Sequence, residues 1–416
     1  MTPKMRKMIN QIQNDTIPKG YKFTEAGIIP IDWNYARLSD ISEQITQTAG
    51  TEKYETVSIS AGIGFVNQVK KFGKELSGKQ YAKYTVLHKG DFSYNKGNSK
   101  KYPQGCVYRL KDRETAAVPN VFESFRITTG CAEYYDQLFV SGYLNHQLYR
   151  LINHGVRDDG LLNLTHKDFY SCLLPVPPVE EQKKIAKILS AQDTVIECYE
   201  KKIEQLKRMK KYYLQNMFPK RGESVPKIRF KGFTDPWGQR KLGECVEFLD
   251  AMRKPLKEGE REKGIYPYYG ASGIVDYISN YIFDEELVLL SEDGANITDR
   301  NYPVCFLASG KYWVNNHAHV LRVYAENENN FICNSLERMD FTKYNSGMAM
   351  PKLNKDVCYN IPLLCPIYEE QKQIGDYFRI FDNIITLHQR KLEEEKKKKK
   401  ALQQLFLTGI VRINHE

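Results

Sequence analysis

Two small groups of residues in this sequence have the types and spacing that metal chemistry would need. His317 and His319 would lie on one face of a strand, where two imidazoles can bind a zinc ion. The acidic pairs at 158–159 and 292–293 could hold Mg²⁺. However, the histidines have no third ligand nearby, and both acidic pairs lie in turn contexts. We therefore expect no metal site in this chain.

Signatures of catalysis are otherwise missing from the sequence. There is no G-x-x-x-x-G-K-[ST] loop to cradle nucleotide phosphates. There is also no N-P-P-Y or D-P-P-Y tetrapeptide of the kind that an amino-methyltransferase uses against its target amine. The glycine pair in the segment 60–64 favours a turn over a cofactor loop. The sequence therefore predicts a chain with no catalytic residues and no cofactor of its own.

Polar segments in both halves of the chain instead carry the side chains that read DNA. Asn pairs with adenine edges, Lys and Arg pair with guanine, and Ser or Thr contacts bases or phosphates. In the first half we predict DNA contacts from a single loop, by Asn95, Lys96, Asn98, Ser99, Lys100, Lys101 and Tyr102. In the second half we predict them from three segments, by Tyr268, Tyr269, Ser272, Asn296, Thr298, Arg300, Asn315, Asn316 and His317. A solvated loop is the alternative for each segment.

Length, composition and charge narrow the class of protein. The 416 residues suffice for two or three domains, and 41% hydrophobic with 27% charged residues is typical of a folded globular protein. No run approaches the roughly 20 apolar residues that span a membrane, and the N-terminus lacks an apolar signal core. Nine scattered cysteines without C-x-x-C spacing favour a reducing cytoplasm. The net charge of +10 favours a polyanionic partner.

Two long helical segments, which repeat one another, follow the two polar halves. Residues 180–218 and 369–407 align without a gap at an offset of 189, and both begin with Glu-Glu-Gln-x-x-Ile. Shorter echoes, such as TPKMR against VPKIR and Trp33 against Trp237, extend the duplication to the whole chain. The sequence therefore predicts a pseudo-twofold molecule and not a solenoid.

Each long helix carries an apolar stripe three positions wide in every seven, whereas two helices that face one another need only about two. We therefore expect the third row to contact other proteins. The residues predicted to bind partners are Ile185, Leu189, Ile196, Ile203, Ile374, Phe378, Ile385, Leu392 and Phe406. An ordinary helical hairpin or a dimer stalk is the alternative.

The order of these segments predicts an α+β protein in four parts. They are a first globular domain at 1–175, a first long helix at 176–222, a second globular domain at 223–365 and a second long helix at 366–416. Short strands separated by polar turns would build each globular domain. Among the local elements, we expect residues 134–153 to be helical and residues 312–320 to form one alternating strand.

Two diverged globular bodies that alternate with two E-E-Q-x-x-I helices resemble the specificity subunit of type I restriction–modification systems. The segments I-P-L-x-x-P-x-x-E-E-Q-x-x-I, YPYYGASGIVDYI and WVNNHAHVL carry the resemblance, which covers essentially the whole chain. It implies two target-recognition domains, each reading half of a split double-stranded DNA site, and two antiparallel helices that set the unread spacer. It also implies that the helices dock two methyltransferase subunits, which motor–nuclease subunits join.

The resemblance places catalysis in those partners. S-adenosylmethionine, ATP and Mg would be bound by the partner subunits, and this chain would direct adenine methylation and ATP-dependent cleavage without being an enzyme itself. A coiled-coil DNA-binding scaffold without methyltransferase or nuclease partners is the alternative. A neighbouring reading frame with N-P-P-Y or D-P-P-Y would separate the two.

Overall fold

The computed structural model of the chain describes residues 2–14, 16–97, 101–152 and 161–413. The chain forms two compact units. Unit 1 consists of residues 1–198 and 392–416, and unit 2 consists of residues 199–391. Each of the two long helices therefore contributes one of its ends to each unit.

Unit 1 combines short strands with short helices. Its strands are β1 (Tyr21–Thr24), β2 (Gly27–Pro30), β3 (Asn34–Arg37), β4 (Ser42–Gln44), β5 (Val57–Ser60), β6 (Gly64–Asn67), β7 (Thr85–His88), β8 (Phe92–Asn95), β9 (Cys106–Arg109), β10 (Thr115–Val118), β11 (Glu123–Ile127) and β12 (Leu173–Val176). Its helices are α1 (Pro3–Gln13), α2 (Leu38–Ile41), α3 (Gln68–Phe72), α4 (Ala132–Val140), α5 (Asn145–Leu151) and α6 (His166–Tyr170), followed by the long helix α7 (Val179–Asn216).

Unit 2 follows the same plan. Its strands are β13 (Gly238–Lys241), β14 (Val246–Phe248), β15 (Lys263–Gly270), β16 (Gly273–Ile278), β17 (Phe283–Asp284), β18 (Leu287–Ser291), β19 (Cys305–Ala308), β20 (Lys311–Val314), β21 (Ala318–Val323) and β22 (Pro362–Cys365). Its helices are α8 (Asn296–Asp299), α9 (Asn329–Glu337), α10 (Lys355–Tyr359) and the beginning of the long helix α11 (Tyr368–Leu407).

The central sheet has the same strand order in both units. It is β4-β11-β8-β9 in unit 1 and β14-β21-β18-β19 in unit 2, with all neighbours antiparallel. A two-stranded ribbon, β3 with β12 or β13 with β22, leads into the long helix in each unit. The remaining strands differ: unit 1 has the separate pairs β5-β6 and β7-β10, and unit 2 has the four-stranded sheet β16-β15-β20-β17.

The core of each unit lies between its central sheet, a helix and the long helices. In unit 1 the Phe92 and Phe125 rings stack at 5.3 Å, and Phe139 of α4 packs edge-on against Phe92 at 5.6 Å. Ile185 near the start of α7 and Phe406 near the end of α11 belong to the same core. Unit 2 repeats this arrangement around Phe331 of α9, which stacks on Phe218 at 5.4 Å.

The repeated Glu-Glu-Gln closes each unit by joining the start of one long helix to the segment that follows the other. In unit 1, the buried carboxylate of Glu181 accepts hydrogen bonds from Arg412 at 2.8 and 2.9 Å and from Trp33 Nε1 at 3.1 Å. In unit 2, the buried carboxylate of Glu370 accepts hydrogen bonds from Arg229 at 2.7 and 2.8 Å. The second Glu of the motif is therefore an internal ion-pair partner.

The Gln of the motif joins the helix start to the globular body. Gln182 Oε1 accepts a hydrogen bond from the backbone N–H of Cys131 at 2.8 Å, immediately before α4, and its amide donates to the Pro177 carbonyl at 2.8 Å. Gln371 makes the equivalent bonds to the N–H of Glu328, at 3.2 Å, and to the Pro366 carbonyl, at 2.9 Å. Since both ends of this amide are used, a residue of another shape would leave buried backbone groups unpaired.

The helix ends pair reciprocally within each unit. Lys399 of α11 forms an ion pair with Asp193 of α7 in unit 1. Its equivalent, Lys210 of α7, pairs with Asp382 of α11 at 2.6 Å in unit 2. Within each unit, the beginning of one long helix thus lies against the end of the other, so the pairing is antiparallel.

The predicted α+β fold, with a duplicated globular part and two long helices, is confirmed. Two local predictions need correction. The segment 134–153 breaks between α4 and α5, and the predicted single strand at 312–320 is interrupted between β20 and β21. That interruption arises because Asn315 Oδ1 accepts a hydrogen bond from the His317 N–H at 2.8 Å, which forms a turn. None of the helices within the described ranges is long and apolar enough to cross a bilayer.

Candidate nucleic-acid interface

The two most polar loops occupy the same position in the two central sheets. The loop predicted from residues 94–102 connects β8 to β9, and the loop at 292–304 connects β18 to β19. In each sheet the strand before the loop is an inner strand: β8 lies between β11 and β9, and β18 lies between β21 and β19. Two segments that share little sequence are thus placed by one conserved arrangement of strands.

In unit 1 the residue Lys96 is anchored, not free. Its ammonium lies 2.5 Å from Glu123 at the start of β11, and it also donates to the Leu164 carbonyl at 3.4 Å. His166 Nδ1 lies 2.8 Å from the same carboxylate. Burial favours the neutral acid, but the hydrogen bonds from Lys96 and His166 hold the pKa of Glu123 below its usual value. Lys96 therefore fixes the base of the loop, and its predicted contact with DNA stays a prediction.

Of the other predicted residues in this loop, some form hydrogen bonds within the unit and others are exposed to solvent. Asn95 is half-buried: its amide donates to the Ile59 carbonyl at 3.3 Å and its Oδ1 accepts from the Gly97 N–H at 2.8 Å. Tyr102 is half-buried, whereas Lys101 is exposed with its ammonium 5.8 Å from the Tyr102 ring. The predicted contacts at Asn98, Ser99 and Lys100 lie outside the described residues.

In unit 2 the structure brings together the three segments that the sequence predicted separately. The Asn315 N–H donates to the Tyr269 carbonyl at 3.0 Å, and the Glu292 N–H donates to the His317 carbonyl at 2.9 Å. The hydroxyl of Ser291 donates to the Ala271 carbonyl. The β15–β16 turn, the β18–β19 loop and the β20–β21 turn therefore form one surface.

On that surface five of the predicted residues are exposed, namely Ser272, Thr298, Arg300, Asn316 and His317. His317 Nδ1 lies 2.9 Å from Asp293. The Thr298 hydroxyl donates to the carbonyl at the start of its own turn at 3.0 Å and lies 3.4 Å from the neighbouring Asp299 carboxylate. Apart from Arg300, the polar groups of these five residues are available to a ligand from the solvent side.

Tyr268, Tyr269 and Asn315 support the surface from within. Tyr268 and Asn315 are buried, so their side chains offer little surface to DNA in the folded chain, and their predicted contact stays a prediction. Tyr269 is half-buried against the ring of Phe306 at 5.8 Å.

Two further residues are occupied by bonds within the loop region. The amide of Asn296 donates to the Tyr302 carbonyl at 3.0 Å and accepts from the Tyr302 N–H at 2.8 Å. Arg300, whose φ is +56°, places its guanidinium 3.2 Å from the Glu337 carboxylate. We therefore assign both to loop geometry.

A buried ionic network lies beneath this surface. His319 Nδ1 is 2.7 Å from Asp250 and its Nε2 is 2.7 Å from the Leu353 carbonyl. Both neighbours can only accept, so both nitrogens carry protons and the ring is an imidazolium. Burial lowers the pKa of His319, but the hydrogen bonds and charges of Asp250 and Cys358 together outweigh burial and raise the pKa to about 10.

Asp250, Glu292 and His319 are also close enough together to suggest a metal site. Arg253 already supplies a cation there, with its guanidinium 2.6 Å from Glu292 and 3.5 Å from Asp250. Because His319 offers no free lone pair and Arg253 balances the carboxylates, the contacts describe an ion-pair network and not a ligand set. His317 points to a different carboxylate, so the pair His317-x-His319 is not one site.

The helix residues predicted to bind partners are placed inside the chain. Eight of the nine are buried, namely Ile185, Leu189, Ile196, Ile203, Ile374, Phe378, Ile385 and Phe406, and Leu392 is half-buried. Five residues of this set pack into the cores of the globular bodies, namely Ile185, Leu189, Ile374, Phe378 and Phe406. Their burial within the chain leaves little side-chain surface for a partner, and the predicted partner contact stays a prediction.

A different set of helix residues is exposed. Ile188 and Val195 on α7, and Ile380, Ile384 and Leu387 on α11, present apolar side chains to solvent. Val195 and Ile384 occupy equivalent positions in the repeat, each next to a buried isoleucine. The sequence does place Val195 and Ile384 in the apolar stripe of their helices. It does not show which row of that stripe the globular bodies would leave exposed.

Two duplicated α+β units, each with a polar surface on its central sheet and a share of two long helices, define a class of protein with two similar binding modules. The sequence matches the family described as "Type I restriction modification DNA specificity domain" over residues 9–208 and 234–397. The chain belongs to this family. Specificity subunits of the family are non-catalytic components of restriction–modification systems.

Individual relatives agree with the family assignment. The chain is 26% identical over 431 aligned residues to the putative type I restriction enzyme MjaX specificity subunit of Methanocaldococcus jannaschii, covering 95% of this chain and 97% of the relative. It is 36% identical over 146 residues to a putative type I restriction enzyme specificity subunit of Haemophilus influenzae, covering 35% of this chain and 37% of the relative. The crystal structure of the type I restriction-modification system S subunit from M. genitalium has the same fold, with a TM-score of 0.61 at 16% identity, over 91% of this chain and 96% of that one.

Proposed function

We propose that this chain is the DNA sequence-recognition subunit of a type I restriction–modification complex and that each unit reads one half of a bipartite double-stranded site. The observation that carries the proposal is the shared position of the β8–β9 and β18–β19 loops on two central sheets of identical strand order. A constant frame that presents two different polar loops is what recognition of two different half-sites requires.

The exposed residues are assigned to DNA contact, except Arg300, which is held by Glu337 and is assigned to loop shape with the other anchored residues. In unit 1 the contact residue is Lys101, which suits guanine or a phosphate. In unit 2 they are Ser272, Thr298, Asn316 and His317, of which Asn316 suits adenine. The net charge of +10 supports attraction to the phosphate backbone independently of sequence.

The exposed apolar side chains on the long helices are the proposed contacts with methyltransferase subunits. Val195 belongs to unit 1 and Ile384 to unit 2, so each unit would dock one methyltransferase. S-adenosylmethionine, ATP and Mg would bind to the methyltransferase and motor–nuclease partners, and this chain would direct their methylation and cleavage.

The test combines co-expression of the chain and its methyltransferase with methylome sequencing. The wild-type pair should yield a bipartite methyladenine motif. Lys101→Ala should relax one half of that motif and Asn316→Ala the other, each at a cost of roughly 1–3 kcal/mol at one position. Lys187→Ala, which removes an exposed lysine from α7, is the matched control and should leave the motif unchanged.

Two outcomes would contradict the proposal. A continuous, undivided motif would mean that the units do not read separate half-sites. Equal weakening on all sequences by both variants would mean that Lys101 and Asn316 contact only the phosphate backbone.

A further inference from the structure

The apolar side chain of Met348 in unit 2 is fully exposed to solvent. Its relative exposure is 104%, and it lies at the tip of the loop 345–352 that precedes α10. Met350 in the same loop is also exposed. Single large apolar side chains on a surface are common. Exposure of Met348 points to a function only if the surrounding loop fixes its position.

Hydrogen bonds within the loop fix its shape. Asn345 Oδ1 accepts from the N–H groups of Gly347 and Lys352, both at 2.9 Å, and the Ser346 N–H donates to the Lys352 carbonyl at 2.9 Å. A Cβ on Gly347 would lie 1.8 Å from the Met350 carbonyl oxygen, so only glycine permits this turn. The loop is closed on itself with Met348 pointing away from its base.

The loop is also joined to the proposed DNA-contact surface. The Gly294 N–H donates to the Pro351 carbonyl at 3.0 Å, and the Leu353 N–H donates to the Glu292 carbonyl at 2.7 Å. Asp293 and Lys352 form an antiparallel bridge between the two segments. Met348 is therefore held at a fixed position beside the β18–β19 loop.

The charge around Met348 favours an anionic partner. The segment from Lys343 to Lys355 contains three lysines and no carboxylate. Lys352 lies 3.3 Å from Glu292, which leaves two lysine charges of the segment unbalanced by that pair. Lys343 lies over the Tyr344 ring at 4.7 Å and Lys355 over the Phe248 ring at 5.6 Å. An apolar tip flanked by lysines suits a ligand with a charged backbone and an apolar interior, which describes duplex DNA.

Unit 1 has a matching feature at a different place in its chain. Ile63 has a relative exposure of 74% and lies at the tip of the β5–β6 turn, between Gly62 at φ +83° and Gly64 at φ +105°. The Gly62 N–H donates to Tyr108 Oη at 2.8 Å, and a Cβ on Gly62 would lie 3.1 Å from Tyr102 Oη. This turn is thus fixed against the β8–β9 loop, which carries Lys101.

We propose that Met348 and Ile63 are apolar base contacts, one for each half-site, a role that rests on the proposed function. Each side chain would bury itself against the apolar surface of the bases. That surface is either a thymine 5-methyl group in the major groove or the face of a base step opened in the minor groove.

The experiment uses the full chain purified with its methyltransferase and a labelled duplex that carries the motif found by methylome sequencing. Met348→Ala should bind this duplex roughly 10-fold more weakly, the loss expected for one buried apolar side chain, while Met348→Leu should bind like the wild type. Ile63→Ala should have a similar effect that maps to the other half-site when half-sites are scrambled singly. Ile367→Ala, which removes an aliphatic side chain of 60% exposure elsewhere in unit 2, should change nothing.

Modified duplexes separate the two sources of apolar surface. Deoxyuridine in place of a contacted thymine should abolish the difference between wild type and Met348→Ala if the methyl group is the contact. Increased 2-aminopurine fluorescence on binding, lost in Met348→Ala, would indicate an opened base step. Either result supports the proposal.

Other results would overturn it. Unchanged binding by both alanine variants, or an equal loss on motif and scrambled duplexes, would show that neither side chain contacts bases specifically. Reduced co-purification of the methyltransferase with Met348→Ala would show that the loop binds protein. If the wild-type complex failed to distinguish motif from scrambled DNA, the proposed function itself would fail, and this inference with it.

Discussion

The ion pair between Arg412 and Glu181 predicts that the last residues of the chain stabilise its first globular body. Removing one partner of a buried ion pair costs about 3–5 kcal/mol because a desolvated charge is left behind. The Arg412 side chain is 30% exposed, and Glu181 would keep its hydrogen bond from Trp33. We therefore expect Arg412→Ala to destabilise unit 1 by about 3 kcal/mol, at the low end of that range.

Hydrogen exchange followed by mass spectrometry is the appropriate assay, since a chain of two units need not unfold in one step. Arg412→Ala should speed exchange in α4 and β11 of unit 1. Arg229→Ala, which removes the equivalent partner of Glu370, should speed exchange in α9 and β21 of unit 2. A double-mutant cycle with Glu181→Gln should give a coupling energy of at least about 2 kcal/mol.

The matched control is Arg208→Ala, because Arg208 pairs with Glu204 on the exposed surface of α7 at 3.8 Å. Such a pair contributes roughly 0.3–0.5 kcal/mol. The reasoning is refuted if Arg412→Ala is no more disruptive than Arg208→Ala. It is also refuted if Arg412→Ala and Arg229→Ala alter the same unit.

Three further predictions test other contacts. The folded-state pKa of His319 is raised to about 10, so the protonated ring stabilises the fold fully below pH 6.5 and this contribution is lost as the pH rises towards 10. Over that range the wild type should lose up to about 1.4 kcal/mol of unfolding free energy per pH unit relative to His319→Gln. Denaturant titrations at several pH values would measure the difference. Val195→Glu with Ile384→Glu should release the methyltransferase from a folded chain, whereas Ile196→Glu with Ile385→Glu should unfold it, which pull-down and circular dichroism would separate. Asp193→Lys should lower the melting temperature of unit 1, and adding Lys399→Asp should restore part of the loss; no recovery would show that the pair contributes nothing.

The periodic features of the chain could be predicted from the sequence. The two long helices begin and end within about two residues of the repeated segments 180–218 and 369–407, because a 3.6-residue apolar period over ten turns is a strong signal. Short strands between polar turns are predicted for each globular domain, and the strands Thr85–His88 and Leu287–Ser291 are of this kind.

Contacts between distant residues could not be predicted in the same way. Arg412 bonds Asp32 across 380 positions of sequence, and nothing local to either residue indicates the pairing. The identity between Lys210 and Lys399 is hidden in lysine-rich segments, although both form ion pairs. Burial posed the same difficulty for Tyr268, whose type suits DNA contact but whose hydroxyl accepts a hydrogen bond from Leu256 at 2.9 Å inside the unit.

The two units also suggest how recognition loops can diverge while the fold is retained. In unit 1 the cation Lys96 belongs to the loop and the acid Glu123 belongs to the neighbouring strand. In unit 2 the acid Glu292 belongs to the loop and the cation His319 belongs to the strand. In both units the cation donates a hydrogen bond to a leucine carbonyl shortly before the last short helix.

Both units therefore hold the loop by an ion pair to the neighbouring strand, but the acid and the cation have exchanged places. A loop and its anchor can therefore change together without altering the contacts that close each unit. Those contacts, Arg412 with Glu181 and Arg229 with Glu370, lie in the helices and junctions, where the repeat is best preserved. Separating the loop anchor from the frame in this way allows one scaffold to present two unrelated binding surfaces.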